Sequence, residues 1–128
     1  MSDGFLADAC AIIAFFAGGR AGMTKAGFDA MQGDVAVSPI TVWELTRKAS
    51  IGKLPPLPVV DGSFARWLVE QGFRVQPLTW TDTEGANALP PIHKDPMDRM
   101  LIAQALNADM PVITEDALYP AYGAKTVW

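Results

Sequence analysis

The sequence has little sulfur chemistry and little base chemistry to offer: one cysteine, Cys10, and one histidine, His93, in 128 residues. A single thiol closes no internal disulfide and builds no thiolate metal site, so any metal would fall to carboxylate oxygens. A buried, inert thiol is the expectation for Cys10. Long apolar runs are absent too, because Gly, Pro or a charge interrupts each one well short of the roughly 20 residues that a membrane span needs. Acids stand near the start of the chain where an export signal carries Lys or Arg, so a cytoplasmic setting is expected. There is no Walker-type glycine loop and no Ser/His/Asp nucleophile arrangement. Nor is there a surplus of basic charge, since 10 Lys and Arg stand against 14 Asp and Glu, a formal net charge of −4. That balance speaks against a nucleic-acid binder, whose phosphate contacts rest on cations. It speaks less strongly if several acids share one cation-binding pocket and leave Arg20, Arg47, Lys48, Lys53, Lys94 and Arg99 to meet phosphates around its rim.

What is present suits one domain over residues 1–128, with half of the residues apolar and therefore able to bury a single substantial core. Residues 5–7 read as a strand that stops at Asp8 and gives way to a helix ended by Gly18-Gly19. A second helix over 24–31, a strand over 35–37 and a helix over 40–49 opened by Ser38-Pro39 follow. Beyond a proline-rich connection at 52–58, Phe64, Trp67, Leu68 and Gln71 mark an amphipathic helix, and residues 74–77 a brief strand. A short helix over 82–89 is closed by Pro90-Pro91. The helix after Asp95 should bury Met97, Leu101, Ile102 and Ala105, and a strand over 111–114, a helical turn through Tyr119 and an extended piece over 125–128 complete the chain. The links between successive strands are too long for hairpins. The expected fold is therefore a three-layer α/β/α sandwich with a central, mostly parallel sheet.

The stretch His93-Lys-Asp-Pro-Met-Asp-Arg99 is the densest in chemistry. Pro96 suits the first helical turn, which makes Asp95 the natural N-cap and puts Asp98 inside that turn. By itself this pair reads equally well as a cap with its capping-box partner or as part of a site. Glu44, between Trp43 and Leu45, reads by itself as half of an i,i+4 ion pair with Lys48. Position changes the weighing. Ligands of open parallel sheets bind beyond the carboxyl ends of the strands. Asp8 ends the first strand, Asp116 lies just past the strand ending at Thr114, Glu44 lies about two helical turns beyond the second strand, and Asp98 opens a helix. Four acids from distant parts of the chain can thus converge. Such hard oxygen ligands select Mg²⁺ or Mn²⁺, which activate water and clamp the oxygens of a phosphodiester, the chemistry of a metal-dependent nuclease. His93 reads as a rim or structural residue, and Thr114 as an anchor for Asp116 or simply the end of its strand.

Four blocks in order, Leu-Ala-Asp8-Ala-Cys-Ala-Ile-Ile, Ser-Pro-Ile-Thr-Val-Trp-Glu44, His-Lys-Asp-Pro-Met-Asp98-Arg-Met-Leu-Ile-Ala-Gln-Ala, and Ile-Thr-Glu-Asp116 with Ala-Tyr-Gly and a final Trp, resemble the PIN-domain family. More narrowly, they resemble the VapC-type ribonuclease toxins of type II toxin–antitoxin pairs. The resemblance implies that Asp8, Glu44, Asp98 and Asp116 form an acidic catalytic site for Mg²⁺ or Mn²⁺, with Asp95 as an adjacent helper or cap and Thr114 as the hydroxyl before the last acid. Arg47, Lys48, Lys94 and Arg99 would then form an RNA-binding rim. Ala9 departs from the Thr or Ser that many members carry, which removes a hydroxyl but no ligand. The resemblance also implies a cognate VapB-type antitoxin, often with a basic side chain in the acidic pocket, and a homodimer. The alternatives are a PIN nuclease of RNA processing or decay with no antitoxin, an inactive PIN fold kept for protein binding, which the four acids argue against, and a non-catalytic Mg²⁺-binding module such as a receiver, in which Glu44 and the Asp98 helix would have no role.

Overall fold

Phe5-Leu6-Ala7 and Val35-Ala36-Val37 carry no polar side chain, so neither can form a strand with one face in water. Both lie in the middle of a sheet in the computed structural model, which describes residues 4–17 and 22–128. Gly18-Gly19, the expected end of the first helix, and Arg20 lie outside the described residues.

The five strands are β1 (Phe5–Ala7), β2 (Val35–Val37), β3 (Arg74–Val75), β4 (Val112–Ile113) and β5 (Thr126–Val127). All pairings are parallel and the order is β3-β2-β1-β4-β5. Six α-helices, α1 (Ala9–Phe16), α2 (Lys25–Met31), α3 (Pro39–Ser50), α4 (Phe64–Glu70), α5 (Trp80–Ala88) and α6 (Pro96–Ala108), and a 3-10 helix at Tyr119–Tyr122 complete the described elements.

Alternation along the strands divides the interior in two. Ala7, Val35, Val37 and Ile113 pack with Ile12 of α1, Met31 of α2, Leu45 of α3 and Leu68 of α4. Leu6, Ala36 and Val112 point to the other face and pack with Leu101, Ile102 and Ala105 of α6 and with Tyr119. The result is the expected α/β/α sandwich. Gly27 lets α2 approach the end of the chain, since a Cβ there would meet the Trp128 carbonyl carbon at 2.5 Å.

Three local expectations shift. α5 begins at Trp80 rather than Asp82, because Thr79 is the cap. Its hydroxyl accepts from Asp82 N at 3.2 Å while the Asp82 carboxylate accepts from Thr79 N at 2.9 Å, a reciprocal capping box. β3 and β4 are each shorter than expected, with Pro77 and Pro111 outside the strands, although the Pro111 carbonyl still accepts from Leu6 N at 2.9 Å. Met97 is half-buried rather than buried, since it belongs to the first turn of α6 and only the next turn reaches the sheet.

The topology places the site. From β1 the chain works outward through β2 to β3, then returns to the other side of β1 for β4 and β5. The connections leaving β1 and β4 diverge at the carboxyl edge, and a crevice opens between them. Asp8 follows the first of these strands and Asp116 lies just beyond the second.

Candidate active site

Asp8 is the N-cap of α1, with Oδ1 accepting from Ala11 N at 2.8 Å. Only 5% of the residue is exposed, and burial raises its carboxyl above the usual range, opposed by hydrogen bonds from Cys10, Thr114 and Ala11. Cys10 Sγ lies 2.9 and 3.1 Å from the two Asp8 oxygens and donates to them. Cys10 is thus half-buried at the site rather than sealed in the core. Burial and the neighbouring Asp8 charge push its thiol up, so it stays a protonated donor.

Thr114, buried at the end of β4, does more than terminate a strand. Its hydroxyl accepts from Asp116 N at 3.0 Å and also bonds Asp8, so one side chain ties the two strand ends together. Asp116 Oδ1 accepts from Leu118 N at 2.9 Å, which fixes the carboxylate on its own turn.

The two readings of the Asp95–Asp98 pair separate cleanly. Asp95 caps α6, accepting from Met97 N at 2.8 Å and from Asp98 N at 3.4 Å. Asp98 does not return the favour in a capping box, because Asp95 N donates instead to His93 Nδ1 at 3.2 Å. The Asp98 carboxyl turns away from the helix start, taking a 2.6 Å hydrogen bond from the Tyr119 hydroxyl and lying 3.4 Å from His93 Nε2. Burial pushes it up to about 6, with the Tyr119 hydrogen bond pulling down and the Asp95 charge pushing up.

Glu44 makes the anticipated ion pair with Lys48 at 2.7 Å, and both line the same cleft as the aspartates. That cleft, about 350 Å³, is lined by Asp8, Glu44, Asp95, Asp98, Glu115 and Asp116, with Lys48 its one cation among the described residues. So many carboxylates around one opening repel each other unless a cation joins them. Asp98, Asp116 and His93 each present a possible ligand atom within 4.8 Å of the others. Oxygen donors of this kind fit Mg²⁺ or Mn²⁺.

The rim residues divide. Lys48 lines the cleft and Lys94 is exposed beside Asp95. Arg47 is exposed on α3, its guanidinium 5.8 Å from the centre of the Trp43 ring. Arg99 is not placed as a rim cation. Its Nη1 donates to the carbonyls of Pro90 (3.0 Å) and His93 (3.1 Å), and its Nη2 to those of Ala86 (2.8 Å) and Leu89 (2.9 Å). The physical reason is the proline-closed turn after α5, which strands carbonyls that only a forked donor can gather.

His93 is more than a rim residue, since its Nε2 lies 2.7 Å from Asp116 Oδ2. The sequence reading did not single out Cys10, Glu115, Tyr119 or His93 as members of the site. For His93 the available signal was its adjacency to the Asp95 cap; for Tyr119 nothing local pointed to a partner 21 residues upstream.

Comparison with known proteins bears on the family and the fold. A family model described as PIN domain matches residues 5–125. Among solved structures, a toxin–antitoxin complex from Klebsiella pneumoniae superposes with TM-score 0.67 at 18% identity, covering 98% of this chain and 97% of that one. FitAcB from Neisseria gonorrhoeae gives TM-score 0.64 at 18% identity, covering 97% and 96%. VapBC2 from Rickettsia felis, bound to a DNA fragment from its promoter, gives 0.68 at 8% identity, covering 97% and 98%. A search of curated protein sequences gave no significant match.

Proposed function

The chain belongs to the PIN-domain family, and from that premise we propose that it is a metal-dependent endoribonuclease, the toxin of a type II toxin–antitoxin pair. The observation that carries this reading is the meeting of Asp8, Glu44, Asp98 and Asp116, from four separate elements, in one cleft at the carboxyl edge of a parallel sheet. Asp8, Asp98 and Asp116 are the proposed metal ligands, with Glu44 completing the acidic set. A bound Mg²⁺ or Mn²⁺ supplies an activated water and neutralises charge on the scissile phosphate. The chain's own contribution is to hold the carboxylates in place. Thr114 ties the strand ends, Tyr119 turns Asp98 away from its helix, and Asp95 caps that helix. Lys48, paired with Glu44, and the exposed Lys94 offer cations for the flanking RNA backbone.

The toxin role is favoured by the solved neighbour from Klebsiella pneumoniae, which is a toxin–antitoxin complex. An apolar groove of about 280 Å³, where Ile13 and Phe16 of α1 face Leu57 and Trp67, offers a surface for a VapB-type antitoxin. No helix among the described residues is long and apolar enough to cross a membrane. The reading includes a homodimer and a cytoplasmic setting, to be tested by light scattering and by fractionation.

The deciding experiment is cleavage of total RNA by the purified chain. Cleavage should require Mg²⁺ or Mn²⁺, stop with EDTA and resume when the ion is restored. Cleavage that persists in EDTA would overturn the mechanism, while cleavage by a chain whose gene has no small neighbouring antitoxin frame would favour an RNA-processing nuclease.

A further inference from the structure

His93 is held more firmly than a loop residue needs to be. Its backbone N–H donates to the Tyr122 hydroxyl at 2.6 Å, and its carbonyl accepts from Arg99 at 3.1 Å. Its ring meets the Tyr119 ring edge-on, with centroids 6.2 Å apart, and only 11% of the side chain is exposed. One further contact decides what the ring can do. The backbone N–H of Asp95 donates to Nδ1 at 3.2 Å, so Nδ1 carries a lone pair and the ring proton belongs on Nε2. Nε2 faces Asp116 Oδ2 at 2.7 Å and Asp98 Oδ2 at 3.4 Å.

We propose that His93 is a positioning residue that donates its Nε2 proton to Asp116, beside Asp98, and is not itself a metal ligand. This rests on the metal-dependent nuclease reading and specifies how the acidic set is held. A nitrogen that carries its proton has no lone pair for a cation. Coordination through Nε2 would move the proton to Nδ1, where it would collide with the Asp95 N–H. As a donor to Asp116 with Asp98 alongside, the ring instead sets the orientation of the Asp116 carboxylate, the part that hydrogen-bonded neighbours commonly play behind metal ligands. The cation is then bound through oxygen alone, which leaves no preference for the imidazole-seeking ions of the later transition series.

The test uses the fact that His93 is the only histidine in the chain, so a long-range ¹H–¹⁵N spectrum of the imidazole needs no assignment. The expected spectrum is that of the Nε2-protonated tautomer, both without metal and at saturating Mg²⁺. In calorimetry, His93→Ala should lower the affinities for Mg²⁺ and Mn²⁺ by the same factor, about tenfold. His93→Gln, which keeps an N–H donor, should recover part of that loss. Conversion to the Nδ1-protonated form on adding Mg²⁺ would overturn the proposal while leaving the nuclease reading intact. So would a loss confined to Mn²⁺, or unchanged affinity for both ions in His93→Ala. Failure of the unaltered chain to bind either ion would bring down the metal reading and this proposal together. If His93→Ala does not fold, the spectrum of the unaltered chain decides alone.

Discussion

The wholly buried phenol of Tyr119 donates to Asp98 Oδ1 at 2.6 Å, joining the 3-10 helix after β4 to the first turn of α6. Burial and the Asp98 charge push the phenol's own ionisation up, so it remains a donor at any working pH. Tyr119→Phe should therefore act on Asp98 in a definite direction. The hydrogen bond opposes the effect of burial on that carboxyl, so its loss should lift Asp98 further above about 6. We expect the acid limb of the cleavage–pH profile to move to higher pH, and stability to fall by about 1–2 kcal/mol, because Asp98 can partly recover its lost partner from water. An unmoved acid limb would show that Tyr119 serves packing only.

Asp98 itself sets a pH dependence of folding whose sign is unusual for a carboxylate. Its folded value of about 6 lies above the ordinary aspartate value of 3.8, so between these limits the folded chain binds more protons than the unfolded one. Stability of the metal-free protein should fall as pH rises through that window and level off above it, and the raised Asp8 carboxyl acts in the same sense. Asp98→Asn should flatten much of this slope, abolish cleavage and leave the neutral-pH fold at least as stable, since the amide oxygen still accepts from Tyr119. Urea titrations in EDTA at pH about 5 and about 7 would check the slope. Normal cleavage by Asp98→Asn would remove the central assignment.

The sequence made the frame of the fold readable because its signals are local. All-apolar triplets, cap-plus-proline pairs at Ser38-Pro39 and Asp95-Pro96, and proline punctuation each depend on a few neighbouring residues. The site was legible as a set of acids at strand ends and helix starts, but not as a network. Whether Asp98 returned a hydrogen bond to Asp95 or turned to Tyr119 depends on a contact across 21 residues, and spacing says nothing of it. Arg99 looked like a rim cation because a charge in sequence carries no sign of the four carbonyls that surround it.

Asp95 separates capping from chemistry. Asn is as good an N-cap as Asp, so Asp95→Asn should leave stability nearly unchanged, whereas Asp95→Ala should cost about 1 kcal/mol. Removing the charge also takes away one influence that raises Asp98, so Asp95→Asn should shift the acid limb of activity to lower pH, opposite to Tyr119→Phe. Thermal melts and pH–rate profiles of the two variants would test both statements. A complete loss of cleavage in Asp95→Asn would instead make Asp95 a ligand.

Arg99 offers the sharpest contrast between a charge that binds RNA and one that builds the site. Its guanidinium holds the turn that carries His93, donating to the His93 carbonyl itself and, at 3.4 Å, to the Tyr122 hydroxyl that receives the His93 N–H. Arg99→Lys keeps the charge but replaces a planar fork with a single ammonium, which cannot serve carbonyls on both sides. We expect a loss of roughly 2–3 kcal/mol in urea titration and slower cleavage, with the salt dependence of RNA binding unchanged. Lys94→Gln should behave in the opposite way. As an exposed side chain it should alter stability by less than about 0.5 kcal/mol, while a lost phosphate contact would reduce the slope of log affinity against log salt by about 1. If Arg99→Lys proved as stable as the unaltered chain, the turn would be held by Tyr122 alone, and Arg99 would return to the RNA-binding rim.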